Sequence, residues 1–239
     1  MDIELYENSA SDYDELQNKR PDYVGAKDCF VNLAVKYFGD KKDILIADFC
    51  CGTGKNSKML SERLSVAKAT LIDINEQFLE IAKKSGFHIP VETINKDILL
   101  ANLNPENDLV ISMFAYHHVP DNQKMKYVGQ VQNALKTNGI LMMGEIYMPD
   151  HETTLKYYKH LLDSISPSAR SKELEEFLIQ TAKSTNFEYK VSRRFAHEQL
   201  QNSGFTLVES VKIWPKDNSF SSDVGTFVDI WRFDSIKSI

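Results

Sequence analysis

The residues best suited to chemistry sit in one short run, Asp48-Phe49-Cys50-Cys51-Gly52-Thr53-Gly54. The run closes an apolar stretch at 43–50 and opens a helical pattern, a place where backbone must come close to a ligand and only glycine permits it. Gly52-Thr53-Gly54-Lys55-Asn56-Ser57 nearly matches the dinucleotide fingerprint, with Ser57 where the third glycine would stand. Asp48, however, would set a negative charge beside a pyrophosphate resting on the helix N-terminus, which disfavours NAD and FAD. A triphosphate-binding loop is weakened too, because Phe49 occupies the position of its first glycine and Asn56 that of the Ser or Thr after Lys55. A carboxylate beside the turn suits a cationic ligand that carries no phosphate.

Two further acids extend this pattern. Asp73 lies nineteen residues beyond Gly54, where a carboxylate can accept both hydroxyls of a ribose. Asp97 follows the next apolar run and suits the exocyclic amino group of adenine, with Ile74 and Ile98 able to sandwich the ring. Farther along, His117, His118 and Glu145 offer general bases, Glu145 at the mouth of a strand. Tyr116 and Tyr147 lie close to them in sequence. The segment Glu188-Tyr189-Lys190-Val191-Ser192-Arg193-Arg194 reads either as a capped helix start or as a substrate clamp, in which Lys190 or Arg193 pairs a carboxylate and Tyr189 aligns the acceptor. Tyr6, Tyr13, Arg20 and Tyr23 can close the site from the N-terminal side.

The elements that must position these groups alternate between strand and helix periods, which predicts a βαβα order. Strands are expected at 43–50, 69–74, 91–94, 108–113 and 140–146, with Asn138-Gly139 turning into the fifth. Helices are expected at 57–64, after the cap Asn75 and up to Gly86, and from about 123 to 135. Residues 150–203 are helical in pattern, broken near 166–168 and 185–187, and strands near 205–214 and 226–233 close the chain. No repeat or low-complexity linker divides it. A single domain is expected over 1–239, with N-terminal helices at 1–40 and a helical insert at 150–190 forming a cap over the substrate site.

The order of these segments resembles the class I S-adenosylmethionine-dependent methyltransferases, well over about 40–147 and weakly elsewhere. The resemblance rests on Asp48 to Gly54, Asp73, Asp97, the run from Asp108 to Met113 into Phe114-Ala115-Tyr116-His117-His118-Val119, and Leu135-Lys136-Thr137-Asn138-Gly139. It implies an α/β fold, a Rossmann-like doubly wound sheet of seven mostly parallel strands with helical cap elements. It also implies that S-adenosyl-L-methionine is the cofactor, leaving as S-adenosyl-L-homocysteine. Asp48, Cys50, Gly52 and Gly54 would then hold the methionine portion, Asp73 and Asp97 the nucleoside, Met113 and Phe114 the floor, and Tyr13 would close over it. Cys50 departs from the family pattern, which has glycine there. The expected reaction is direct displacement onto an O, N or C atom of a small molecule, with His117, Glu145 and Tyr189 as candidate catalytic groups. Tyr23, Tyr116, Tyr147, Lys190 and Arg193 are the candidate substrate contacts. A relative with a non-methylating reaction, or a silent regulatory binder, remains the alternative.

Composition narrows the partners. Lysine and arginine number 28 against 34 acidic residues, a formal charge of -6, and the basic residues are scattered, so a nucleic-acid substrate is disfavoured. There is no apolar run long enough for a membrane span, and the polar, acidic start is unlike a secretory signal, so a cytoplasmic location is expected. The three cysteines, Cys29, Cys50 and Cys51, show no zinc spacing; reduced thiols and no metal are expected. A homodimer is left open.

Overall fold

The computed structural model describes residues 13–185 and 188–234. Seven strands form one sheet: β1 (Ile44–Phe49), β2 (Val66–Asp73), β3 (Val91–Asn95), β4 (Asn107–Met113), β5 (Leu135–Tyr147), β6 (Phe205–Trp214) and β7 (Gly225–Phe233). Their order is β3-β2-β1-β4-β5-β7-β6, parallel from β3 to β5, with β7 antiparallel to both neighbours. The strand order reverses between β1 and β4, so a crevice opens at the carboxyl ends of these two strands.

Alternate residues of each strand serve the two faces, as the pleat requires. Ile44, Ile46, Leu109, Ile111, Met142 and Ile230 pack under α2 (Pro21–Phe38), α3 (Lys55–Ser61) and α4 (Glu76–Lys84). Ala47, Phe49, Val110, Leu141, Phe227 and Trp231 pack under α5 (Lys124–Ala134) and α8 (Arg193–Asn202). Burying each such large side chain contributes about 1.5–3 kcal/mol relative to exposing it. A third apolar cluster joins Ile146 and Met148, at the carboxyl end of β5, to α6 (His151–Ser164) and α7 (Lys172–Lys183). The short α1 (Tyr13–Asn18) precedes α2. Between them Arg20 pairs with Asp22 in the interior, and the Tyr157 hydroxyl of α6 reaches Asp22 at 3.1 Å and Thr226 at 2.6 Å, tying the N-terminal helices to the insert.

The seven-stranded, mostly parallel sheet agrees with the expected fold class. Boundaries differ where local signals were ambiguous. β5 starts at Leu135 instead of 140, because Asn107 pairs with Leu135 before a register shift, leaving the left-handed Asn138 (φ 65°) inside the strand. The helix after β1 starts at Lys55 and stops at Ser61, earlier than the pattern 57–64 suggested. Of the predicted groups, Tyr6 lies outside the described residues. No helix among the described residues is long and apolar enough to cross a membrane.

Candidate active site

The turn after β1 carries three left-handed residues, Cys50 (φ 52°), Gly52 (φ 53°) and Gly54 (φ 71°). The two glycines have different reasons. A Cβ on Gly52 would meet nothing within 4 Å, so its backbone faces open space. A Cβ on Gly54 would lie 3.0 Å from Ala82 Cβ and 3.1 Å from Leu71 Cδ1, so Gly54 lets α3 and α4 close onto the sheet. Cys50 pays strain where the family has glycine, and Phe114 (φ 57°) does the same after β4; both side chains border the cleft described next.

A cleft with about 960 Å³ of empty space runs along the strand tips. Tyr13, Cys50, Gly52, Asp73, Ile74, Asp97, Ile98, Met113 and Phe114, all expected to touch cofactor, line it. Asp73 accepts the Gly52 N–H at 2.8 Å and the Asn75 N–H at 2.9 Å, and Asn75 in turn caps α4 through Gln77 and Phe78. Asp97 accepts the Leu99 N–H at 2.9 Å, fixing the turn that presents Ile98. Tyr13 lies against Phe78, ring centroids 5.4 Å apart, and Thr53 donates to its neighbour Asp14 at 3.2 Å, so α1 closes over the cleft. The carboxylates, the open backbone at Gly52 and the Ile74 and Ile98 side chains together fit an adenosyl cation without phosphate. Asn75, Phe78, Lys96 and Leu99 also line the wall and were not anticipated from sequence.

Asp48 and Gly54 are corrections, since neither lines the cleft. Asp48 is buried beneath the turn and accepts the Ser57 hydroxyl at 2.7 Å; burial pushes its carboxyl up to about 7 although that bond opposes the shift. It therefore braces α3 against the turn.

Behind the cleft lies an inner cavity with about 310 Å³ of empty space. The two share Tyr13, Phe114 and His118 as a common wall. Tyr23 stacks on Phe114 at 5.4 Å and 24°, and Tyr158 of α6 and Phe177 of α7 supply further aromatic surface. Gln17, Arg20, Thr181 and Glu188 bring polar atoms. Thr181 Oγ1 is buried with no hydrogen-bond partner among the described residues.

Beside this cavity sits an ionic cluster. His117 Nδ1 contacts Glu145 Oε1, and Glu145 also accepts the His117 N–H at 3.1 Å and the Ile146 N–H at 2.6 Å. Burial pushes the Glu145 carboxyl up to about 7 and His117 well below its ordinary value. Glu188 pairs with Lys190, both buried; Lys190 holds the Glu188 carboxyl below its usual range against the opposing effect of burial. Lys124, wholly buried, donates to the Tyr116 and Val119 carbonyls at 2.9 and 2.8 Å, and burial lowers its ammonium to about 8.

Several predicted contacts lie elsewhere. Tyr116 points into the core, where its hydroxyl donates to Gln199 and its ring meets Tyr127. Tyr147 is fully buried on the opposite side, donating to Asp229 at 2.8 Å. Arg193, the first residue of α8, binds Asp223 at 3.0 Å and Ser210 at 2.7 Å over the Phe227 ring. Tyr189 donates its backbone N–H to the His117 carbonyl at 2.7 Å, and its side chain lines neither cavity. Strand alternation explains Tyr147, which takes the face of β5 opposite to Ile146, whereas Tyr116 opens the single helical turn 116–118 and packs with the core beneath it. Lys190 reaches the cavity only through Glu188. Glu188, Thr181 and Gln17 were not anticipated, although Thr181 could have been found as the polar residue inside the apolar stripe Leu174, Phe177, Leu178 and Ala182.

Residues 46–139 match the family model of the methyltransferase domain. An uncharacterized methyltransferase of Anoxybacillus flavithermus is 24% identical over 148 residues, 60% of this chain and 66% of that protein. The chain spans 66% and 35% of the lengths of the two curated relatives it matches. Among solved structures, a chain of the Haloferax volcanii complex between the Trm112 methyltransferase activator and a methyltransferase superposes with a TM-score of 0.69 at 12% identity, covering 99% of each chain. The Burkholderia thailandensis 1,6-didemethyltoxoflavin-N1-methyltransferase, with 1,6-didemethyltoxoflavin and S-adenosylhomocysteine bound, superposes at 0.64 and 12% identity over 96% of this chain and 86% of that one. Residues 46–139 are thus a methyltransferase domain on a shared fold. That match, with S-adenosylhomocysteine bound in a structure of the same fold, supports S-adenosyl-L-methionine as the cofactor of this domain.

Proposed function

We propose that the protein transfers a methyl group from S-adenosylmethionine, held in the outer cleft, to a small-molecule acceptor in the inner cavity. The observation that carries this reading is the common wall of Tyr13, Phe114 and His118, across which an acceptor and the methyl-bearing sulfur can meet in line. When bound, the cofactor supplies an already activated methyl group, so the chain's work is alignment and exclusion of water. Asp73 accepts the ribose hydroxyls, Asp97 the adenine amino group, and the open backbone at Gly52 admits the methionine portion. α1, α6 and α7 act as the cap that encloses the acceptor.

The aromatic walls suit a planar or apolar acceptor. The orphaned Thr181 hydroxyl favours one that also carries a polar group able to bond there. An acidic acceptor can give its proton to His118, which borders both cavities, whereas His117 is held by Glu145 as a positioning group. The similar Burkholderia enzyme, seen with 1,6-didemethyltoxoflavin bound, supports a small-molecule acceptor.

The test is a screen of metabolite extracts with methyl-labelled cofactor, sorted by acceptor mass. Label appearing in a small molecule supports the proposal. Calorimetry that detects no binding of S-adenosylmethionine or S-adenosylhomocysteine would overturn it.

A further inference from the structure

Where the two cavities meet, three side chains turn electron-pair donors toward one another. One atom each of His117, His118 and Glu188 falls within a mutual 4.8 Å. His117 Nε2 lies 3.7 Å from Glu188 Oε2, and His118 Nδ1 lies 3.9 Å from Glu188 Oε1. His117 Nδ1 is turned to Glu145, so Nε2 is the ring nitrogen that faces Glu188.

We propose that His117, His118 and Glu188 bind a divalent first-row transition ion, of which zinc fits best. Two imidazoles and one carboxylate are a donor set suited to zinc, cobalt or iron and poor for magnesium or calcium, which prefer oxygen alone. Ligand atoms in a tetrahedral site with bonds of about 2.1 Å lie roughly 3.4 Å apart, so the separations here, all within 4.8 Å, must close by up to about 1.4 Å, which side-chain rotation can supply. Glu145 supplies the carboxylate behind the histidine that such sites use to fix the ring. Lys190 holds Glu188 at Oε2 and leaves Oε1 turned toward His118. His118 borders both cavities, which provides an entry path and an open position for an acceptor's oxygen or nitrogen. With the ion bound, these groups are ligands, and the ion itself acidifies the acceptor.

This inference goes beyond the methyl-transfer reading and is tested without turnover, so either can fail alone. Tag-free, metal-stripped protein is titrated with Co²⁺ and followed by calorimetry and visible absorption. One equivalent with visible ligand-field bands, displaced by Zn²⁺, is expected. His118→Asn should weaken binding at least tenfold, and Glu145→Gln by about 10- to 100-fold. Glu188→Gln would strand the buried Lys190 ammonium, so the half-buried His118 provides the decisive variant, with its fold checked by circular dichroism. Crystals of the wild-type protein measured at the zinc edge give a second readout, with anomalous density expected among the three residues. Absence of stoichiometric binding, unchanged affinity in His118→Asn, a thiolate charge-transfer band lost in Cys50→Ser, or density at another place would each overturn the proposal.

Discussion

Asp73 Oδ2 accepts the Gly52 N–H at 2.8 Å, so the tip of β2 and the turn after β1 form one hydrogen-bonded unit. The same carboxylate that would receive a ribose therefore also shapes the backbone on which the rest of the cofactor would lie. Its other oxygen holds Asn75, which starts α4, so the unit extends into the helix.

Replacing Asp73 should consequently cost more than one ligand contact. Asp73→Asn turns an amide N–H₂ or a weaker acceptor toward Gly52 and removes the charge. Hydrogen bonds to charged groups contribute about 1.5–3 kcal/mol, so affinity for S-adenosylhomocysteine should fall by about 10- to 150-fold. Calorimetry checks this; unchanged affinity would remove Asp73 from the cofactor site.

Asp48 should make stability depend on pH. Burial raises its carboxyl from 3.8 to about 7, so between these values the folded chain holds a proton that the unfolded chain has released. Stability falls with pH wherever the unfolded state binds fewer protons, so this contribution is complete below about pH 4 and declines up to about pH 7. Asp48→Asn keeps a partner for Ser57 and removes the titration. The stability of the variant relative to wild type should therefore grow by a few kcal/mol across that window, measured by urea unfolding at several pH values. A constant difference would show that Asp48 is ionised in the folded chain.

The buried pair Glu188 and Lys190 should behave as a unit. Glu188→Gln leaves an ammonium uncompensated in the interior and should cost about 3–5 kcal/mol in chemical denaturation. Glu188→Gln combined with Lys190→Met should recover most of that loss. Additive effects of the two changes would mean that the pair is not coupled.

Tyr147 and Tyr23 should separate stability from acceptor binding. Tyr147→Phe deprives the buried Asp229 of one donor and should cost about 1–2 kcal/mol while leaving the acceptor KM unchanged. Tyr23→Leu removes the ring stacked on Phe114 and should raise KM with little change in cofactor affinity, losing about 0.5–1.5 kcal/mol of binding. Steady-state kinetics and thermal unfolding of both variants decide the matter.

The sheet and much of the outer cleft were legible in the residue order. Apolar runs that alternate with helical periods can bury their faces only in a layered α/β fold, and this places Gly52, Asp73 and Asp97 after successive strands at one edge. Loop positions adjacent to strand ends depend on short stretches of chain, which is why local pattern sufficed. The inner cavity depended on contacts between distant segments. Glu188 meets His117 and His118 across about seventy positions, and Thr181 borders the same space as Gln17 of α1. Tyr116 and Tyr147 lie near the site in sequence yet face the core, because one residue of strand or turn decides which side a ring takes. Local composition thus determined the frame and the loops that edge the outer cleft, whereas which side chains face one another inside it was decided only when α1, α6 and α7 packed over the sheet.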